Sequence, residues 1–223
     1  MRRFFRTSSL SIFFLALFLA ALVGQALAGW AEFNDQQVAQ NLSEIGLDRY
    51  LTSADFAADV AENWQSEYLQ FLLYIVATVF FIQRGSPESP TTSGVGSDED
   101  QKLGAHTELD SPKWAKVGGA RTALFSWSLT IVMGSIFVLS WLAQSIVGWA
   151  AFNAIRMQQL QDPLTWAGYL GNPDFWSRTL QNWQSEFLAV GSMAVLAIYL
   201  RQRGSAESKP VGEPHDSTGV SAG

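Results

Sequence analysis

The chain has 223 residues, and its 48% hydrophobic and 15% charged content is typical of a small membrane protein with polar tails. The formal net charge of −6 disfavours a nucleic-acid-binding protein. Because the sequence contains no cysteine, disulfide bonds, a thiolate nucleophile and a thiolate metal site are excluded.

The first apolar segment covers residues 9–28 and is long enough to span about 30 Å of hydrocarbon as a helix. With its basic start and the Ala26-Leu27-Ala28 sequence before Gly29, it also matches a secretory signal peptide. We favour a retained transmembrane helix, because a full-length internal apolar segment at 124–147 ends in the same Gly-Trp pair. Small residues recur at every fourth position and predict a helix-packing face: Ala16, Ala20, Gly24 and Ala28.

The sequence repeats at a single offset of 119 residues, which is the separation of Trp64 and Trp183. The phrase Asn63-Trp64-Gln65-Ser66-Glu67 returns as Asn182-Trp183-Gln184-Ser185-Glu186. One offset without an insertion indicates the tandem duplication of one structural unit. The same offset relates Gln25 to Gln144, Gly29-Trp30-Ala31 to Gly148-Trp149-Ala150, and Tyr50-Leu51 to Tyr169-Leu170.

The duplication predicts four transmembrane helices, at about 9–28, 64–83, 124–147 and 183–200. The polar stretch between the two spans of each half contains signals for helix starts, so we predict short interfacial helices there. These signals are Asp162-Pro163 and Asn172-Pro173 in the second half, and Ser43 and Ser53 to Asp55 in the first.

Composition divides the chain into four regions. Residues 1–84 form the first repeat and residues 121–203 form the second. Residues 85–120 are predicted to be a flexible linker, and residues 204–223 a disordered tail, because both are rich in Ser, Gly and charge. The predicted fold is an all-α integral membrane protein with two tandem two-helix repeats, related by a pseudo-two-fold axis along the membrane normal.

Positive charges fall on one side of the predicted membrane. The loops between the spans of each half hold three arginines and nine of the twenty acids, and two more acids, Glu67 and Glu186, lie at the outer ends of the spans. By the positive-inside rule both termini and the linker are cytoplasmic, and the two loops face the exterior. The basic residues on the cytoplasmic side are Arg2, Arg3, Arg6, Arg84, Lys102, Lys113, Lys116, Arg121, Arg201, Arg203 and Lys209.

Glu67 and Glu186 are the main candidates for a functional role. Each lies one turn inside an otherwise apolar helix, where an ionised carboxylate is costly. Gln25 and Gln144 lie about one turn before the end of the preceding span, where each could donate a hydrogen bond to the Glu of its own half. In a functional interpretation, these four residues form an ion or substrate site near the outer membrane face.

A structural interpretation of the same motif needs no ligand, and we favour it. Asn63 and Asn182 would cap or hydrogen-bond the entrance of the helix, and the Glu side chains would favour its positive start. Tryptophans at the ends of apolar runs would anchor the helices at the lipid head groups. These predicted anchors are Trp30, Trp64, Trp149 and Trp183.

Other signs of chemistry are weak. His106 and His215 fall in the predicted linker and tail, so neither is placed for metal binding or proton transfer. The sequence has no Gly-rich phosphate loop and no nucleophile elbow. We therefore expect no cofactor, no metal and no enzymatic activity.

Three motifs, each present twice, carry a resemblance to a known family. They are Gln25-x-x-x-Gly29-Trp30, Asn63-Trp64-Gln65-Ser66-Glu67 and Arg84-Gly85-Ser86-x-Glu88-Ser89. With their second copies they resemble an uncharacterised family of small bacterial membrane proteins known as a domain of unknown function. The resemblance covers nearly the whole chain and implies a duplicated four-span inner-membrane protein, without a reaction, a ligand or a catalytic residue.

The expected function is that of a structural or interaction component of the bacterial cell envelope, in the inner membrane. Its partners would be the lipid bilayer and either a second copy of the chain or other envelope proteins. The alternative is a small oligomeric transporter or channel subunit with a polar site around Glu67 and Glu186. A membrane-bound enzyme that uses carboxylates is a third and weaker hypothesis.

Overall fold

The computed structural model describes residues 7–90 and 102–219, and within these ranges the chain is all-helical and contains no strand. The basic residues Arg2, Arg3 and Arg6, and the central part of the predicted linker with Asp98, lie outside the described residues.

The first half of the chain forms helices α1 (Ser9–Ala39), α2 (Leu47–Leu51) and α3 (Ala54–Phe80). Helix α1 continues eleven residues beyond the predicted end of the first span at Ala28, because the residues that follow include five good helix formers, Ala, Glu or Gln, and no proline. The helix ends where Asn41 takes a left-handed conformation with φ of 59°.

The second half contains α4 (Lys113–Val117), α5 (Gly119–Ser126), α6 (Ser128–Gln158), α7 (Trp166–Leu170) and α8 (Pro173–Tyr199). A short 3₁₀ turn at Gly104–His106 precedes them. The bounds of α6, α7 and α8 lie 119 residues beyond those of α1, α2 and α3, at both ends of each helix. The left-handed residue that ends α1 also has a counterpart, since Leu160 has φ of 56° after α6.

Two of the four predicted helix starts are confirmed. Asn172 caps α8, since its side chain accepts a hydrogen bond from the backbone N–H of Asp174 and proline opens the helix. At the start of α3, the backbone N–H of Phe56 donates to Ser53 Oγ at 3.2 Å.

The predicted helix starts at Asp162-Pro163 and at Ser43 are wrong. Helix α7 begins at Trp166 and α2 at Leu47, so both stretches remain non-helical. The reason is that the backbone N–H and C=O of Leu164 both hydrogen-bond to the Asn153 side chain. The backbone of Ile45 makes the same two hydrogen bonds with the Asn34 side chain. These side chains satisfy the backbone groups that a helix would otherwise use.

The chain forms two compact units, and the first contains Met1–Val60 and Gln144–Trp166. Its buried centre in the first half is Tyr50, whose ring packs 5.6 Å from Phe33 and 5.5 Å from Phe56. The Tyr50 hydroxyl lies against Gly29 so closely that a Cβ at this position would clash with it. Burial, followed by the charges of Asp59, Asp55 and Glu32, raises the pKa of Tyr50, so the phenol stays protonated.

The second unit contains Ala61–Ala143 and Ala167–Gly223. Its centre is an aromatic cluster around Trp141, whose ring centroid lies 5.6 Å from that of Trp183, 6.1 Å from Trp176 and 6.2 Å from Phe175. Such contacts contribute about 0.5–1.5 kcal/mol each beyond the burial of area. The cluster joins the N-terminal part of α6 to α8.

The segment after α8, which was predicted to be a disordered tail, contains several hydrogen-bonded turns in the described residues. Up to Gly219 it forms a series of turns, in which the buried Lys209 ammonium donates to the backbone carbonyls of Pro214, His215 and Ser217. The tail also contacts the end of the first half, where Gly85 N–H donates to Thr218 Oγ1 at 2.8 Å. Gly85 has φ of 86° and faces the carbonyl of His215, so a side chain would not fit there.

The predicted linker also contains regular structure, namely the 3₁₀ turn and helices α4 and α5. Helix α5 ends at Ser126, and α6 begins two residues later, so the predicted span 124–147 starts across a helix break.

Two of the described helices, α1 and α6, are long and apolar enough to cross a membrane, with mean hydropathies of 2.4 and 1.8 over their most apolar windows. Most large apolar side chains on α1 are exposed, including Leu10, Phe13 and Phe14. Apolar side chains on α3 and α8, such as Phe71 and Leu188, are exposed as well. Crossing by α3 and α8 stays a prediction.

Candidate functional site

The two copies of the Asn-Trp-Gln-Ser-Glu motif lie next to each other, because α3 packs against α8 at this point. The Trp183 indole N–H of the second copy donates to Gln65 Oε1 of the first copy at 2.7 Å. Gln65 is completely buried and Ser66 nearly so. The repeated phrase therefore joins the two helices.

Two buried donors at this contact, one of them on the Gln65 side-chain amide, make no hydrogen bond to any described residue. Within residues 7–90 and 102–219, Gln65 Nε2 and Trp141 Nε1 are buried without a hydrogen-bond partner. Both groups are donors, and both residues contact Trp183. A buried unsatisfied donor costs about 1–3 kcal/mol, so an acceptor oxygen at this position would be stabilising.

One of the two predicted carboxylates, that of Glu186, takes part in this contact. Ser66 Oγ donates to Glu186 Oε1 at 3.4 Å and to the backbone carbonyl of Asn63 at 3.1 Å. Glu186 is half-buried, and Glu67, the residue after Ser66, is exposed. Chemically, a carboxylate at such a contact can take up a proton or bind a cation.

An ion pair extends the same helix contact by about one turn. Arg178 Nη1 lies 3.3 Å from Glu62 Oε1, and Arg178 Nε lies 3.4 Å from Asp174 Oδ2. Burial lowers the pKa of Arg178, but the charges of Glu62 and Asp174 outweigh this effect and raise it. The Glu62 side chain is 12% exposed, so the pair is partly shielded from water.

The Tyr169 hydroxyl joins this network by donating to Asp174 Oδ2 at 3.2 Å. Burial, followed by the charge of Asp174, raises the pKa of Tyr169, so this phenol is also protonated at neutral pH.

The remaining predicted site residues have various environments. Asn63 and Trp64 are exposed, and the Asn182 side chain donates to the Arg178 carbonyl at 3.1 Å. Gln144 is buried and Gln25 half-buried. These two glutamines belong to the first compact unit, and Glu67 and Glu186 to the second, so the predicted Gln–Glu hydrogen bonds stay predictions.

Two of the predicted membrane anchors tie a loop to a helix. The Trp30 indole N–H donates to the Ile45 carbonyl at 2.7 Å, and the Trp149 indole N–H donates to the Leu164 carbonyl at 2.7 Å. An anchoring role at the head groups stays a prediction for both residues.

Sequence reasoning missed a pair of carboxyl groups at equivalent positions of the two halves. Glu88 and Glu207 form a side-chain hydrogen bond. Burial, then this hydrogen bond and the charge of Glu207, raise the pKa of Glu88 to about 7. The repeated Arg-Gly-Ser-x-Glu sequence contained the signal, since both residues follow the same turn.

In the part of the chain that the structure describes, no cluster of side chains supports a metal site. No group of three or more His, Asp or Glu side chains there could hold a metal ion. His215 Nδ1 lies 2.9 Å from the Ile198 carbonyl and so contributes to packing of the tail.

Over residues 7–90 and 102–219, these features define an all-helical structure with two helices of membrane-spanning length. The family model described as a domain of unknown function (DUF6766) matches residues 1–220, and the chain belongs to this family. No curated protein and no solved structure matches the chain significantly.

Proposed function

We propose that the chain is a four-span protein of the bacterial inner membrane, built by tandem duplication of one helical hairpin. The proposal of duplication is supported by the sequence offset of 119 residues and by helix bounds that repeat at the same offset. Four spans are supported by the exposed apolar side chains of all four long helices, which need an apolar environment.

The orientation that we propose places both termini and the linker in the cytoplasm and both interhelical loops outside. It is supported by the positions of the lysines and arginines, which the positive-inside rule uses. The two hairpins would then enter the membrane in the same direction and be related by an axis along the membrane normal.

The function that we propose is a structural or interaction role in the envelope. The observation that carries it is the hydrogen bond from Trp183 to the buried Gln65. This hydrogen bond uses polar groups of both motif copies to hold α3 against α8, as interhelical hydrogen bonds do in membrane proteins. The acidic loops would present the interaction surface to a second copy of the chain or to another envelope protein.

The rival function is a transporter or channel subunit. The contact of Glu186 with Ser66, the neighbour of Glu67 in the sequence, favours it, because acids inside membrane helices occur on ion pathways. In that case, an oligomer would be needed to complete a polar pathway.

Proteoliposomes and thermal unfolding separate the two functions. The structural role predicts no proton or monovalent-cation flux above that of empty liposomes. It also predicts that Gln65→Ala lowers the melting temperature, whereas Gln184→Ala at the exposed equivalent position does not. Flux that disappears in the double variant Glu67→Gln and Glu186→Gln would overturn the structural role in favour of transport.

Photo-crosslinking in cells tests the interaction part of the proposal. A photoreactive residue at the exposed Gln161 should capture a defined partner, either a second copy of the chain or one envelope protein. The matched control is a photoreactive residue at Leu109, which is exposed on the proposed cytoplasmic side. Identical capture patterns from the two positions would contradict a role of the loops.

A further inference from the structure

The loop between α1 and α3, residues 40–53, borders an open cavity of about 540 Å³. Its walls combine apolar side chains of Phe33, Leu42 and Ile45 with polar ones, including Gln37, Ser43 and Arg49. The volume falls in the range of about 300–1,000 Å³ that is usual for small-molecule sites. The mixed lining suits a ligand with a charged part and an apolar part.

Arg49 is the charged residue in the cavity wall. Within the described ranges, the structure records no hydrogen bond or ion pair for the side chains of Arg49, Gln37 or Ser43. The cavity therefore offers a guanidinium, an amide and a hydroxyl that are not committed to other parts of the fold. A guanidinium with nearby neutral donors is suited to a phosphate or carboxylate.

The second half uses its equivalent positions differently. Phe152, Arg156 and Asp162 correspond to Phe33, Gln37 and Ser43. Arg156 Nε donates to the carbonyl of Asp162 at 2.8 Å, and the Arg156 guanidinium carbon lies 5.9 Å from the centre of the Phe152 ring. In the second half a guanidinium thus joins α6 to the loop that follows it. Arg49 has no counterpart there, since the equivalent residue is Gly168.

Two acidic residues close to Arg49 in the sequence restrict the charge of the ligand that the cavity can bind. Glu44 and Asp48 are exposed next to the cavity residues Ser43 and Arg49 in the sequence. The two acids flank cavity residues along the chain and are not part of the cavity lining. Their charges disfavour a simple anion at the cavity edge, whereas a zwitterion can place its negative group on Arg49 and its ammonium toward the acids.

The position of the cavity points to a membrane component. Ile45, in the cavity wall, accepts the hydrogen bond from Trp30, one of the predicted head-group anchors. We propose that the cavity binds the phosphoethanolamine head group of a phospholipid, with the phosphate on Arg49 and the ammonium near Glu44 and Asp48. This inference rests on the membrane location proposed above. The apolar wall would then contact the glycerol and the upper acyl chains.

Native mass spectrometry of the full chain in detergent tests this site. Phosphatidylethanolamine should bind at least tenfold more tightly to the wild type than to Arg49→Gln. Gln37→Arg, which introduces the arginine of the second half, should weaken binding to a similar degree by filling the cavity. The matched control, Arg156→Gln, should retain the affinity of the wild type, and melting curves establish that each variant is folded.

The choice of lipids distinguishes the possible ligands. Equal affinity of Arg49→Gln and wild type for phosphatidylethanolamine, or a preference of the wild type for phosphatidylglycerol, would overturn the proposal. Binding of soluble glycerophosphoethanolamine as tightly as phosphatidylethanolamine would show that the apolar wall contributes no affinity, would assign the site to a free phosphate ester and would overturn the lipid source. Because binding is measured in detergent, these failures leave the proposed topology and envelope role untouched.

Discussion

The two copies of the repeated motif have the same sequence but different environments. In the first copy Gln65 and Ser66 are buried, whereas their equivalents Gln184 and Ser185 are exposed. A contact with exact two-fold symmetry would pair each Trp with the Gln of the other copy. The structure instead pairs Trp183 with Gln65, while Trp64 is 43% exposed and Gln184 is exposed. Equal sequence therefore does not imply equal roles.

The largest expected effect separates the two tryptophans. Trp183 contacts Trp141, Phe137 and Gln65, so Trp183→Ala should lower the free energy of unfolding by about 3 kcal/mol through a cavity and a lost hydrogen bond. Trp64→Ala at the equivalent position should cost less than about 1 kcal/mol, because the side chain is more exposed. Denaturant unfolding in detergent measures both. Equal losses in the free energy of unfolding would contradict the proposed difference between the two copies.

A smaller effect is expected at the ion pair that only one half can form. Arg178 pairs with Glu62, whereas the equivalent of Arg178 in the first half is Asp59. Arg178→Gln should lower the free energy of unfolding by about 1 kcal/mol, since the arginine is partly exposed and its pairing is screened. The control Arg121→Gln, at an exposed arginine, should stay within about 0.5 kcal/mol of the wild type. An unchanged stability of Arg178→Gln would remove the ion pair from the account of α3–α8 packing.

The smallest effect concerns pH and the carboxyl pair of Glu88 and Glu207. Burial, followed by the hydrogen bond and charge of Glu207, raises the pKa of Glu88 from 4.5 to about 7. The folded state therefore binds more protons than the unfolded state between these values, and stability falls as the pH rises through this window. We expect a modest decrease in melting temperature from about pH 5 to about pH 8, because Glu88 is partly exposed.

Two substitutions check the source of this pH dependence. Glu88→Gln cannot ionise and should make the melting temperature nearly independent of pH in this window. Glu108→Gln changes an exposed acid that pairs with Lys102, and it should keep the slope of the wild type. If Glu88→Gln also keeps that slope, the carboxyl pair is not its cause.

The features that were predictable from the sequence depend on residues that lie close together along the chain. The Asn172-Pro173 pair predicted the start of α8, because a capping side chain and a proline act within one turn. The all-helical character of the described residues was also predicted, since long apolar segments without turn residues favour helices. The start at Asp162-Pro163 failed for a longer-range reason, because Asn153 holds the backbone of Leu164 from another element.

The candidate site was predictable in composition but not in arrangement. Repetition identified the motif, yet nothing in two identical phrases indicates which Gln becomes buried. That choice depends on the faces that α3 and α8 turn toward each other. The contacts of Lys209 with the carbonyls of the tail were likewise not predictable from a polar composition, and disorder of the tail stays a prediction.

Cysteine labelling in intact cells tests the proposed topology most directly. The native chain has no cysteine, so single cysteines introduced at the exposed positions Glu44, Asp110, Gln161 and Val211 can be labelled without background. The account predicts that a membrane-impermeant maleimide labels positions 44 and 161 in intact cells, and positions 110 and 211 only after permeabilisation. Labelling of position 110 in intact cells, or of positions 44 and 161 on opposite sides, would contradict two parallel hairpins.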